Sequence, residues 1–507
     1  MVQRSLSPAT AYIWLCLIYF AVVTGYYLLD PFGFERTGRD TWHHLAVLRE
    51  LMVSPLDPSN PHIATDEPSR YYTPLNILAA AFGKMFNIVP SKLFSFMGAA
   101  ICVGFCGTTW LFARRYFKTD WAPAILLTVL LFAWGAQRDH AGFHNFATFI
   151  SSAGYPATQV LVLGMFSWFL CLFALEEEKY FRLNLLILAI LTATIVITHQ
   201  FSAFIMLVGT GSFIIFHMSA AMSRKITLLG ALFVGGLLSL LWPYFSPLDV
   251  VLSAADPRWA SDAKKMTAVS FLIMMAAPAF IGILGFRDKL LGNIRWEILA
   301  PALFFTSSYI LLVALDMSIA HRFPTAIVLY FQLGLTWVVL SSTYFQKTSP
   351  TMRRVISIFG LAIICFSMFM ASGARLMEFK SRASHGRMLS SVNEMQDYMP
   401  AGSISFATKN IVYLVQSTGR RVVSIPRPEP VAPSLFERQK ATDRFFAPDN
   451  SEAERRTLLR QWKATHIAFA PPDLTPATIE ALRKFGPSQK FTQDLEIITV
   501  KPMAEQP

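Results

Sequence analysis

Eleven stretches of roughly 20 apolar residues, almost free of charge inside, restrict this chain to folds that cross a bilayer. They lie near 11–29, 92–113, 121–136, 157–175, 183–197, 200–218, 226–243, 267–285, 296–315, 326–345 and 353–373. With 54% hydrophobic and only 15% charged residues, the chain has too much apolar surface for one soluble core. The unusual polar residues, by contrast, fall in loops that share one membrane face.

Short basic loops set the orientation. Arg114, Arg115 and Lys118, then Lys179 and Arg182, Arg224 and Lys225, Arg287, Lys289 and Arg295, and Lys347, Arg353 and Arg354 occupy alternate connections. The positive-inside rule makes those connections cytoplasmic. The loops at 30–73, 137–156, 198–199, 244–265 and 316–325, with everything after 375, then face outward. Arg36, Arg39, Arg49 and Arg70 in the 30–73 loop run against the bias, but the five basic connections agree with one another. The first span follows a single basic residue, Arg4, and lacks a small-residue cleavage site, so it reads as an uncleaved anchor. The segment 74–90, PLNILAAAFGKMFNIVP, contains Lys84 and would invert every later loop if it crossed. It is expected instead as an amphipathic helix on the outer surface.

All five cysteines, Cys16, Cys102, Cys106, Cys171 and Cys365, lie in expected spans, so no disulfide framework is predicted. The net charge of +12 is spread over the inner loops and the tail without interleaved aromatic residues. That pattern fits topology and attraction to anionic membrane lipid rather than nucleic-acid binding.

Composition turns mixed and polar near 375, dividing the chain into a transmembrane domain, 1–374, and an extracytoplasmic α/β domain, 375–507. In the latter, SISFAT (403–408), RRVVSIP (420–426), HIAFAP and LEIITVKP read as strands. KNIVYLVQSTG with its stop at Gly419, SEAERRTLLRQWKA with Ser451 and Glu454 as a capping box, and TPATIEALRKFG ending at Gly486 read as helices. Such alternation predicts a small sandwich with a mainly parallel sheet. It carries no phosphate-binding glycine fingerprint, which favours an outward lid or docking module over an independent enzyme.

Three outer segments carry residues suited to chemistry. In RDTWHHLAVLRELM, Asp40 and His43 stand three apart on one helical face; Asp40 suits a general base, and equally a helix cap, with His44 as a solvated neighbour. In QRDHAGFHNFATFISSAGYP, His140 and His144 have the i, i+4 spacing of a zinc pair, but HExxH is absent and Gly142 weakens the helix. Asp139 could orient an acceptor or simply pair with Arg138. In DMSIAHRFP, Arg322 beside His321 offers a planar fork of donors suited to phosphate oxygens, with snorkelling to headgroups as the alternative. His199 in THQFSA reads as part of a structural hairpin.

The D-x-x-H placement after the first span, followed by YYTPLNILAAAFG and LFSFMGAAICVGFCGTTWLFARRYF, resembles the polyprenyl-phosphate-dependent glycosyltransferases of the GT-C class. The protein O-mannosyltransferase and aminoarabinose transferase branches are similar in pattern. The resemblance implies a polytopic α-helical GT-C-like membrane protein of about eleven spans with a C-terminal extracytoplasmic α/β domain. It further implies an inverting transfer from a polyprenyl-phosphate-linked sugar to a glycan, lipid or protein acceptor at the outer face of the inner membrane. Asp40 would take the acceptor proton and Asp139 hold the acceptor, while Arg322, with His321 or Arg138, would stabilise the departing lipid phosphate. His43, His140 and His144 complete the expected substrate-binding set, and no metal or other cofactor is required. Rival classes are a transporter or flippase for lipid-linked sugar, a polysaccharide polymerase or ligase, and a noncatalytic scaffold. A carrier needs ionisable groups within its spans, which these lack; a polymerase usually centres on a large late outer loop, and these are short.

Overall fold

The computed structural model describes residues 7–29, 39–134, 144–146, 152–253, 295–315, 317–341, 394–409, 411–426, 429, 431–432, 434–492 and 495–501. The spans expected near 267–285 and 353–373, with Cys365, lie outside these residues, as do Arg138, Asp139 and His140.

Chain contacts divide into two compact units. One comprises Met1–Leu29, Ser95–Trp242 and Val251–Glu378; the other comprises Asp30–Phe94, Pro243–Val250 and Phe379–Pro507. The unit that holds the tail thus also takes in the segment after the first helix.

The first unit is helical: α1 (Pro8–Leu29), then, after two helices of the other unit, α4 (Pro90–Phe117), α5 (Ala122–Phe132), α6 (Pro156–Glu176), α7 (Phe181–Thr198), α8 (Gln200–Phe216), α9 (Met222–Ser239), α11 (Trp296–Ala314) and α12 (Phe323–Ser341). Among the described residues seven of these are long and apolar enough to cross a membrane, while α5 and α8 are shorter apolar helices. Glycines let neighbours approach closely, as small residues do between membrane helices. A Cβ at Gly164 would strike Met206, one at Gly209 would strike Tyr330 and Trp168, and one at Gly235 would strike the Ala189 carbonyl. Polar ties run between helices inside the bundle: Trp168 Nε1 donates to Met206 O at 2.9 Å, and Tyr330 Oη to Ile205 O at 2.7 Å. Cys16, Cys102, Cys106 and Cys171 are unpaired.

The second unit opens with α2 (Arg39–Val53) and α3 (Pro74–Met85), and takes in the start of α10 (Pro247–Ser253). Thr73 caps α3 through Oγ1, which accepts from Asn76 N at 3.4 Å, and Pro74 occupies the first turn. The tail builds β1 (Ile404–Ala407), α13 (Val412–Ser417), β2 (Arg421–Val422), α14 (Leu435–Phe446), α15 (Glu452–Gln461), β3 (His466–Phe469), α16 (Pro476–Arg483), β4 (Ser488–Thr492) and β5 (Leu495–Thr499). The Ser451–Glu454 capping box forms at α15. Phe406, Phe445, Leu459, Ile467, Phe469 and Ile498 make the core.

The sheet order is β2-β1-β3-β5-β4; β1 runs parallel to β2 and β3, whereas β5 is antiparallel to both β3 and β4. The sheet is therefore mixed rather than mainly parallel, because the polar segment SQKFT, which gives no strand signal, folds back as an edge strand. Helix α14 is likewise an addition to the sequence reading. Gly486 is not the stop of α16, which ends at Arg483; it is a close approach, where a Cβ would collide with Thr499 O.

Candidate functional site

Asn60 organises the loop between α2 and α3. Its Oδ1 accepts from His62 N at 3.0 Å and Ile63 N at 3.1 Å, while Nδ2 donates to the carbonyls of Glu67 and Pro68, both at 3.2 Å. Wound around this buried amide, the loop brings His62 against α2, where Nε2 lies 3.2 Å from His43 O. The His43 ring is boxed in by His62 at 4.3 Å and Tyr413 at 5.1 Å, both edge-on, and stacked on Tyr71 at 5.9 Å. Among the described residues neither ring nitrogen of His43 has a hydrogen-bond partner. His44 is also buried, against Tyr71 and Phe94, and is not the solvated neighbour its sequence position implies.

Burial, reinforced by His62, holds His43 well below the usual histidine range, and burial pushes His44 and His62 down to about 3. These rings are neutral packing groups at ordinary pH. They fix α2, and so the helical backbone that carries Asp40, against the tail. The Asp40 side chain itself lies outside the described residues, although its backbone is helical within α2.

The tail grips the loop at further points. Glu429, buried, accepts from Arg70 N at 3.1 Å through Oε1, and its Oε2 stands 3.9 Å from Arg70 Nε. Burial pushes the Glu429 carboxyl up, with Arg70 pulling it partly back. Glu67 accepts from Ser434 N at 3.1 Å and Ser434 Oγ at 2.6 Å. His62, Tyr71, Tyr413 and Glu429 were not marked by sequence: Tyr413 and Glu429 meet partners hundreds of residues away, and His62 and Tyr71 reach His43 only through the winding of the loop.

In the membrane unit, His144 lines a narrow cleft with Thr158, Ser202, Met206, Thr325 and Leu329. Thr158, Ser202 and Thr325 belong to the first turns of α6, α8 and α12, so three helix N-termini, each with partial positive charge, converge there. His144 Nε2 is 3.2 Å from Gln332 Oε1, and Gln332 Nε2 donates to Ala133 O at 3.0 Å. Burial pushes His144 down to about 4, against the opposing effect of that hydrogen bond. Arg322 is exposed at the end of a 3-10 turn, Ser318–Arg322, that leads into α12. The His321 side chain, like Arg138, Asp139 and His140, lies outside the described residues, so the His140–His144 spacing and the Asp139–Arg138 pair are not seen. Among the described residues no three His, Cys, Asp or Glu gather as metal ligands. His199 forms a structural hairpin: it ends α7 and caps α8, Nδ1 accepting from Ser202 N at 3.2 Å.

No family model and no curated protein matches the sequence. Among solved structures, the chain is similar to ArnT from Cupriavidus metallidurans, crystallised with bound undecaprenyl phosphate, at TM-score 0.56 and 11% identity over 98% of each chain. Weaker likenesses are to the oligosaccharyltransferase of Archaeoglobus fulgidus. Its apo form gives TM-score 0.45 and 10% identity over 94% of this chain and 73% of that one. Its form tethered to an acceptor peptide gives TM-score 0.48 and 11% identity over 85% and 65%. The fold is the GT-C-like one implied by the sequence: membrane helices followed by a C-terminal sheet domain.

Proposed function

We propose that the chain is an inverting glycosyltransferase that moves a sugar from a polyprenyl-phosphate donor to a glycan, lipid or protein acceptor at the outer face of the plasma membrane. The observation that carries this reading is the end-to-end likeness to a protein crystallised with undecaprenyl phosphate. The described spans support an enzyme over an ion-coupled carrier, because their central turns contain no ionisable Asp, Glu, Lys or Arg.

In the proposed reaction the acceptor oxygen attacks the anomeric carbon as Asp40 takes the hydroxyl proton. The bond from that carbon to the phosphate oxygen breaks on the opposite face, and polyprenyl phosphate departs with the electron pair. Arg322, with Arg138 and His321, offsets the charge on the leaving phosphate, and Asp139 orients the acceptor. The cleft beside His144, with its three helix N-termini, suits the anionic headgroup, and His140 joins that set. His43 acts by holding α2 in register. No step uses a metal.

The test is transfer by the full chain in liposomes with radiolabelled sugars on polyprenyl phosphate. Asp40→Asn is expected to abolish transfer while donor binding persists, since the amide keeps its size and cannot take the proton. Undiminished transfer by that variant would remove Asp40 from the chemistry, and failure of any polyprenyl-phosphate sugar to bind the wild type would overturn the function.

A further inference from the structure

The membrane unit has an open pocket of about 550 Å³ at the turn between α6 and α7, lined by Glu178, Lys179, Tyr180, Arg182 and Arg224 together with apolar Phe181 and Leu183. We infer that it is a specific site for the phosphate headgroup of an anionic glycerophospholipid, with the acyl chain laid along α7.

Three observations converge on this assignment. The lining holds three cations and one carboxylate, Glu178, which stands 3.5 Å from Arg224. Among the described residues Lys179 and Arg182 have no carboxylate within ion-pair distance; the Lys179 ammonium lies 5.0 Å over the Tyr180 ring. Helix starts provide the second observation. Neither α7 nor α9 has a side-chain cap or an acidic residue in its first turn, and those turns instead carry Arg182 and Arg224 with Lys225. Cations at a helix N-terminus oppose the dipole, and uncapped N–H groups need an acceptor. A phosphate in the pocket answers both.

The third observation selects a lipid over a free anion. Leu183, Leu186 and Ile190 on α7 are each more than half exposed, at 53%, 57% and 53%. Their spacing sets them on one helical face leading away from the pocket. Tyr180, 51% exposed, stands at its rim, where an amphipathic ring suits the level of lipid headgroups. Basic residues serving topology alone need only be numerous in the loop; they need not surround a pocket that opens onto an apolar strip.

The test uses the full chain in detergent, titrated with phosphatidylglycerol, phosphatidylcholine or glycerol 3-phosphate, with bound species counted by native mass spectrometry. The wild type is expected to hold phosphatidylglycerol at least tenfold more tightly than phosphatidylcholine. The exposed pair Lys179→Gln and Arg182→Gln should erase that preference. The charge-matched pair Arg114→Gln and Lys118→Gln, on the neighbouring basic loop, should keep it. Retained preference in the first double variant, equal loss in the second, or glycerol 3-phosphate binding as tightly as the lipid would each overturn the assignment.

Discussion

Ile63 and Val422 pair as a parallel bridge: Val422 N donates to His62 O at 3.2 Å, and Val422 O accepts from Ala64 N at 3.1 Å. The loop after the first span thereby adds to the edge of the tail sheet at β2. Two segments some hundreds of residues apart fold as one body, so the tail is part of what holds α2 and Asp40. A tail domain tied to the loop beside α2 differs physically from a tethered appendage. Damage to the tail should reach the chemistry through α2.

Gly419 tests that coupling. Its φ of +78° lies in the left-handed region, and an added Cβ would stand 2.6 Å from Cδ of Arg49 on α2. Arg49 Nη1 also donates to Thr418 O at 3.4 Å. Gly419→Ala should cost roughly 1–2 kcal/mol from backbone strain plus displacement of Arg49. Adding Arg49→Ala should relieve only the steric part, giving a nonzero coupling in a double-mutant cycle of thermal unfolding. Strict additivity would mean that the loop and tail do not press on each other here.

Glu429→Ala should destabilise the second unit by about 3 kcal/mol, because it removes a buried carboxylate that accepts from Arg70 N and stands beside the Arg70 guanidinium. The Arg70 side chain is 28% exposed, which puts the loss at the low end for a buried pair. Glu429→Gln keeps the acceptor for Arg70 N and should lose less. Differential scanning calorimetry in detergent distinguishes the two; equal stability of both variants and wild type would show that the contact contributes nothing.

The histidine cluster makes stability fall with acid. His43, His44 and His62 have folded pKa values depressed by burial, so the unfolded chain binds more protons below the ordinary value near 6.5. Stability is full above that pH and declines as pH drops through the window toward about 3. Each histidine contributes up to about 1.4 kcal/mol per pH unit there. Arg70 faces the same cluster and opposes further positive charge. His43→Phe should cost little at pH 7, since its ring nitrogens have no partner among the described residues, and should flatten the acid slope. A loss of transfer in that variant at unchanged stability would make His43 a substrate contact instead of a packing group.

Much of the fold was legible because local rules and packing agreed. Apolar length marked the described membrane helices, the segment from Pro74 was expected as a helix and forms α3, and the Ser451–Glu454 box started α15. What escaped the sequence depends on contacts that no local pattern encodes. His44 looks solvent-facing beside Asp40, yet Tyr71 and Phe94 cover it. Ile63 joins a sheet whose strands begin at Ile404, and Asn60 looks like an ordinary turn residue until its four backbone partners are seen. At the His144 cleft the unread residues are neutral, Thr158, Ser202, Thr325 and Gln332. Thr158, Ser202 and Thr325 stand at helix starts that meet only in the folded bundle, and Gln332 reaches His144 from the middle of α12.

The alternating basic loops predict an orientation. Reporter fusions after Phe117, just beyond Arg114 and Arg115, and after Ala401, before β1, should report opposite sides of the membrane, the former cytoplasmic. Matching sides would invalidate the shared outer face on which the proposed site depends.

Arg322 separates phosphate recognition from membrane anchoring. It sits in the turn before α12, whose Thr325 lines the His144 cleft. If its guanidinium binds the phosphate, Arg322→Ala removes charge-assisted hydrogen bonds worth about 1.5–3 kcal/mol, weakening donor binding on the order of tenfold or more. Arg322→Lys should recover only part, because an ammonium cannot form the bidentate fork. A side chain that merely reaches lipid headgroups would accept Lys without loss, since snorkelling needs only a long stem and a charge. Donor affinity measured for both variants in nanodiscs decides between them: a graded loss, Ala below Lys below wild type, supports the phosphate contact, and wild-type affinity in both removes Arg322 from the site.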